Sequence, residues 1–456
     1  MISLPRLRRS HAAARQLVLP FAARSRDRQK WFRRWIVAGT AVVVAAILAS
    51  SPWGRYGAAV TVWGARQIVR RFFGLPRPRE EVDEAWRRRR ELGIEETRRG
   101  LARVYAEADP PIRKLLRYAG LDPDHGLLRW GNYDLTLLLP STVFEADDSG
   151  RSYRLRPLTR SIWLSQISLK GGMPFFFLVP DGPGLAQAIE GTTGIPVATS
   201  RQTTSSWGLR GPEPDPRAPF RVMVLGDSFM QGLFIGDDET PPESLRRYLQ
   251  GQVGCPVSVL NTGVLGYSPE QYYHAMIAFA DRFPPHFVVI SLFCNDFGDL
   301  HAVPTRGLGD WGEGKYWLEK IGAFCAAREW PYLIAPAPYA PGLLGKRRPG
   351  FYPGLIANEL DINSIFLLDP TEDFIDAHLD RVIEGQLRRA RPMGCPLFND
   401  AIGDGHFSAL GSRVWAERVG RRLLRIMGEE QARRVSRGLP LRGPDVLKAS
   451  ERAGDR

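Results

Sequence analysis

Ser228, His406 and Asp404 are the side chains whose types and surroundings could carry out acyl chemistry. Ser228 stands in Gly226-Asp227-Ser228-Phe229, just after the apolar run Arg221–Leu225. A serine at a strand-to-helix junction has its Oγ near the positive end of the helix, where developing negative charge is stabilised. His406 lies in Asp404-Gly405-His406-Phe407-Ser408. An imidazole acting as base toward a serine needs a carboxylate to fix its tautomer, and Asp404 is two residues away. Two further segments could serve a developing oxyanion. Asn261-Thr262-Gly263-Val264-Leu265-Gly266 has glycines that let a backbone N–H approach a substrate, and Cys294-Asn295-Asp296 offers an amide donor. Each signal has an ordinary structural reading as well. Ser and Asp cap helices, Gly266 can be a turn before a helix at Glu270–Arg282, Asn-Asp suits a loop, and Ser408 fits as the cap of a helix from Ala409 to Met427.

The elements around these residues give the signals a common address. Arg221–Leu225, Val257–Asn261, Phe287–Phe293 and Tyr332–Ala337 are short, nearly continuous apolar runs separated by stretches of helical pattern. The first such stretch is read as continuing through Leu249. Strands of this kind alternating with helices form a parallel sheet buried on both faces, and ligands bind beyond the carboxyl ends of its strands. The Ser, Gly and Asn segments follow the first three runs in order.

In that joint order the chain resembles the SGNH (GDSL-type) hydrolase superfamily: Gly-Asp-Ser, then Gly, then Asn-Asp, then an Asp/His block. The resemblance covers roughly Trp207 to Met427, with motif positions from Gly226 to His406, and Trp207–Pro216 (WGLRGPEPDP) is similar to the lead-in before the first block of many bacterial members. It implies a three-layer α/β/α, flavodoxin-like domain with a central parallel sheet. It also implies Ser228 as nucleophile, His406 as general base, Asp404 orienting His406, and an oxyanion hole made of the Ser228 N–H, the Gly266 N–H and the Asn295 side chain. Two departures are visible. The family spacing Asp-x-x-His is shortened by one residue here, which makes Asp400 a substitute for Asp404, and Cys294 stands where glycine usually precedes the asparagine and would narrow the pocket. A specificity insertion is expected around Gly342–Ala357.

The rest of the chain places this region. Of 456 residues, 44% are hydrophobic and 24% charged, which excludes wholesale disorder, and the length suits two or three domains. The net charge of +13 is concentrated in residues 1–34, where ten basic residues face the single acid Asp27, so no nucleic-acid face is expected. Residues 35–54 are uncharged and flanked by tryptophans, long enough to span a bilayer, with the basic tail on the cytoplasmic side. An uncleaved anchor is favoured over a signal peptide cut near Ala49-Ser50-Ser51. The catalytic region is then expected outside the cytoplasm, tethered to the membrane. Residues 81–126 read as a charged helical region with Trp86, Leu92, Leu101, Val104, Leu115 and Leu116 as candidate buried positions. Residues 127–206 read as a small β-rich module, 207–428 as the hydrolase domain and 429–456 as a disordered tail, with the polar, Pro-rich Thr199–Pro219 as a linker or entry strand at the junction of the first two. Cys255, Cys294, Cys325 and Cys395 are too scattered for a disulfide framework, and no metal or cofactor motif is found. Three functions fit: an ester hydrolase acting on acyl, chiefly O-acetyl, groups of envelope or extracellular carbohydrate; an acyltransferase using the same triad; and an inactive membrane-tethered binding protein.

Overall fold

The structure, a computed structural model, describes residues 79–131, 136–168, 174–182, 200–297, 311–338, 367–387, 395–399 and 405–436, with isolated positions at 187, 191, 353 and 356. The apolar segment 35–54, most of Gly342–Ala357, Asp400 and Asp404 lie outside these residues. Among the described residues no helix is long and apolar enough to cross a membrane.

Among the described residues four strands form the parallel sheet: β8 (Phe220–Leu225), β9 (Val257–Asn261), β10 (Phe287–Ile290) and β11 (Tyr332–Ile334), counted from β1 at Leu127. Their spatial order is β9-β8-β10-β11, and Leu367 adds a parallel bridge to Ile334 at the edge. Registers such as Met223↔Leu260 and Val224↔Val289 bring the carboxyl ends of β8, β9 and β10 to one level. This is the doubly wound order of flavodoxin-like folds, whose switch point lies between the first and third strands. Both faces are covered, which is why the strands read as unbroken apolar runs. On one face Leu245, Leu249, Trp415, Val419 and Leu423 pack on Phe220, Val222 and Val224. On the other, Tyr272, Met276, Phe279, Leu318 and Ile321 pack on Met223, Leu225, Val288 and Ile290.

Helices α1 (Arg79–Glu107) and α2 (Pro110–Ala119) occupy the charged region, broken at Asp109 and Pro110. Leu101 and Leu116 are buried as expected, but Leu92 is 64% exposed: it falls on the solvent side of α1. Antiparallel ladders follow, β1 (Leu127–Trp130) with β2 (Thr136–Leu139), β3 (Phe144–Asp147) with β4 (Ser152–Leu155), and β5 (Arg160–Ser168) between β6 (Pro174–Pro180) and β7 (Arg201–Thr203). Phe144, Tyr153, Leu155, Trp163 and Leu178 from these ladders join the same core as Met223, Leu225 and Tyr272, and the described residues from Arg89 onward form one unit.

Two sequence expectations change. The helical pattern after Gly226 is interrupted: α3 (Ser228–Gln231) stops at Gly232 with φ +77°, and α4 (Pro241–Val253) restarts behind Thr240, with Pro241 and Pro242 in its first turn. At the far end, α5 (Pro269–Ala280), α6 (Trp311–Ala327) and α7 (Thr371–Leu387) are followed by α8 (Ala409–Ser436), which bends at Gly428, φ +71°. Helical turns therefore continue over Glu429–Ser436, where a disordered tail is expected from sequence.

The segment read as a linker or entry strand contains a strand, β7, and Arg210 then inserts a fully buried guanidinium beneath the serine-bearing turn. The guanidinium donates through Nη1 to the carbonyls of Gln231 and Gly232, through Nη2 to that of Ile235, and through Nε to Asp237 Oδ1 at 3.0 Å. Asp237 also accepts from the Thr203 N–H at 2.9 Å and its hydroxyl at 2.6 Å, tying β7 to the same knot. Arg210→Met removes the cation and strands three carbonyls, so it should lower unfolding free energy by ~3–5 kcal/mol in urea denaturation. Asp237 is partly exposed and can rehydrate, so Asp237→Asn should cost less.

Candidate active site

Ser228 is the first residue of α3, just past the carboxyl end of β8. Asp227 caps it, its Oδ1 accepting the Phe229 N–H at 2.9 Å. Ser228 is buried, and its Oγ lies 2.7 Å from His406 Nε2, across 178 residues of sequence. That is hydrogen-bond reach for a nucleophile and its base.

The histidine turn is fixed by its backbone. The Asn399 N–H donates to the His406 carbonyl at 2.9 Å, and its Nδ2 donates to the carbonyls of Leu233 and Phe407, each at 3.1 Å. Ser408 accepts the Gly411 N–H at the start of α8, the capping role expected of it. Gly411 sits so close to the Leu397 carbonyl that a methyl group there would stand 2.1 Å from the oxygen. The rings of Phe229 and His406 are 4.6 Å apart and those of Phe229 and Phe293 4.3 Å, which walls one side of the pair with aromatic surface.

The second block is bound to the first by polar side chains. Asn261 accepts the Gly263 N–H at 2.9 Å and donates to the Met230 carbonyl at 2.9 Å. Gln231, fully buried, accepts the Leu265 N–H at 2.6 Å and passes its amide to Gln202 at 3.0 Å. Gly266 adopts φ +72°, a conformation that favours glycine. Asn295 lies on a 3₁₀ turn, Cys294–Phe297, after β10, in the position the block order requires. Its neighbour Asp296 is turned inward, accepting the Phe293 N–H at 2.7 Å and the Tyr272 hydroxyl at 3.0 Å. The structure thus brings Ser228 and His406 together and places Gly266 and Asn295 after the next two strands. The orienting acid, Asp404 or Asp400, lies outside the described residues. The roles of Arg210, Gln231, Asp296 and Asn399 are not identified from sequence: Arg210, Gln231 and Asn399 act on distant backbone groups, and although Arg210 falls in the lead-in and Asp296 in the Asn-Asp block, neither motif marks the bonds its side chain makes.

Two buried carboxyls flank the nucleophile. Burial pushes Asp227 up to about 6, against the Phe229 N–H and the attraction of His406, and its Oδ2 is buried without a hydrogen-bond partner among the described residues. Burial, then the charge of Asp227, pushes Asp296 well above the ordinary carboxylate range. A carboxyl with a raised folded pKa binds its proton in the native state after the unfolded chain has lost it. Its contribution to stability is therefore present at low pH and fades as pH rises from the ordinary value through about 6. Asp227→Asn keeps the cap acceptor and removes the titration. Urea denaturation at pH 4.5 and pH 7 should show the variant gaining on the wild type at the higher pH.

No family model matches the chain, and no similar curated protein is found. Similar solved structures include a G-D-S-L family protein from Desulfitobacterium hafniense, 18% identical with a TM-score of 0.31, covering 44% of this chain and 98% of its own. Others are an acetyl xylan esterase, AlAXEase (15%, TM-score 0.30, 45% and 100%), and the psychrotrophic esterase EstA from Pseudoalteromonas sp. (14%, TM-score 0.31, 44% and 96%). In this chain Ser228, Gly266 and Asn295 follow successive parallel strands, and the serine meets His406.

Proposed function

We propose that this protein is a serine ester hydrolase that removes short acyl groups, above all O-acetyl groups of carbohydrate, through an acyl-enzyme. The observation that carries the reading is the 2.7 Å approach of His406 Nε2 to Ser228 Oγ at the carboxyl edge of the parallel sheet. His406 takes the hydroxyl proton as Ser228 attacks the ester carbonyl. The resulting oxyanion is held by the Ser228 and Gly266 N–H groups and the Asn295 amide. Collapse expels the alcohol, which leaves with the proton from His406. Water, activated by the same imidazole, then attacks the acyl-enzyme, and the second collapse frees Ser228 and the acid. The Phe229 and Phe293 rings beside His406, and Cys294 in place of glycine, support a short acyl group. The uncharged segment 35–54 behind a basic tail supports a membrane-tethered enzyme acting outside the cytoplasm, where acylated envelope carbohydrate is at hand.

The test compares p-nitrophenyl acetate and octanoate turnover by the full-length protein. Acetate should be preferred, and Ser228→Ala and His406→Ala should each fall by roughly 10³-fold or more. Equal activity in Ser228→Ala would show that another group is the nucleophile. Octanoate preference would replace carbohydrate by lipid esters as the substrate class.

A further inference from the structure

The antiparallel ladders before the hydrolase region reach into the oxyanion loop. Tyr153 on β4 is fully buried and donates its hydroxyl to the Leu265 carbonyl at 2.5 Å. The Tyr267 hydroxyl returns a hydrogen bond to the Tyr153 carbonyl, and the two rings meet edge-on at 5.3 Å. Leu137 of β2 lies so close that a methyl on Gly266 would be 2.3 Å from its Cδ1 and 2.9 Å from the Tyr153 oxygen. Gly131, at the end of β1, comes equally near: a methyl there would lie 2.6 Å from the Gly266 carbonyl oxygen.

The carbonyl of Leu265 and the N–H of Gly266 belong to one planar peptide group, in which a trans bond points them in opposite directions. Gln231 holds the peptide on the other side of Leu265, through its N–H. Whatever grips the Leu265 oxygen therefore sets the direction of the Gly266 N–H and, by polarising the amide, strengthens it as a donor. We propose that Tyr153 is a positioning residue for acyl transfer, its hydroxyl fixing the Leu265–Gly266 peptide plane so that the Gly266 N–H is aimed at the developing oxyanion. The β-ladders then form a working part of the active site. This rests on the reading of Gly266 as an oxyanion donor.

The test uses the full-length protein, with p-nitrophenyl acetate kinetics expressed per Ser228 titrated by a fluorophosphonate, so that misfolded molecules are not counted. Tyr153→Phe should lower kcat about tenfold, short of the ~10²–10³ for outright loss of an oxyanion donor, with KM within about twofold. Leu137→Ala loosens the same peptide without leaving a buried polar group, and should lower kcat in the same sense. Thr142→Val removes another hydroxyl-to-carbonyl bond, to Ala119 at 2.9 Å, and should leave kcat within about twofold. Wild-type kcat in both Tyr153→Phe and Leu137→Ala, or an equal loss in Thr142→Val, overturns the proposal. Full turnover in Ser228→Ala instead overturns the underlying hydrolase reading and is told apart by that variant alone. If the wild type does not turn the ester over, the rate of fluorophosphonate labelling, which passes through the same oxyanion geometry, takes the place of kcat with the same expected ratios.

Discussion

A four-residue helix cannot hold a nucleophile in place by itself, because so short a turn closes too few hydrogen bonds to offset the ordering of its backbone. Ser228 sits on such a turn, and the surrounding structure supplies what the turn lacks. Asp227 satisfies an N–H at its start, Arg210 gathers the carbonyls at its end, and Asn261 takes the Met230 carbonyl from the neighbouring strand end. The chain spends a fully buried cation on this, and the arrangement is tolerable because each of the three guanidinium nitrogens donates to a carbonyl or to the Asp237 carboxylate. The imidazole is treated in the same way. Asn399 ties the carbonyls of His406 and Phe407 to that of Leu233, in the loop that leaves the serine turn.

The same economy joins the blocks to one another. Gln231 belongs to the serine turn yet fixes the Leu265 backbone, and its amide continues to Gln202 on β7 of the antiparallel ladders. The Ser228 turn, the loop that carries Leu265 and the ladders therefore share one buried polar network. The paired burial of Asp227 and Asp296 adds an electrostatic cost beside the reacting serine, offset by the Phe229 and Phe293 N–H groups and the Tyr272 hydroxyl.

What sequence made legible follows from how local each signal is. Unbroken apolar runs identified all four parallel strands, since burial on both faces leaves its mark residue by residue. The Ser, Gly, Asn and His motifs were visible because their chemistry constrains short stretches of chain. The break at Gly232 was legible in principle from Gly232 and Pro241-Pro242, but apolar spacing around them masked it. Leu92 was misassigned because a charged helix offers little periodicity to choose its inner face. Tyr153 was out of reach: its hydroxyl serves a carbonyl 112 residues away, and nothing in a strand of sequence SYRL marks one aromatic as a polar tether. Arg210 was noticed only as part of a lead-in, since a surface arginine and a buried one look alike in sequence.

The four cysteines are each buried, and none of them is in a disulfide. Burial raises Cys255 and carries Cys325 up to about 12, so their nucleophilic thiolate forms are scarce at physiological pH. Exchange with glutathione or an oxidoreductase would require the core to open first. Cys255 and Cys325 are therefore poor partners for thiol exchange, and no cross-link between them has to be sorted as this core assembles.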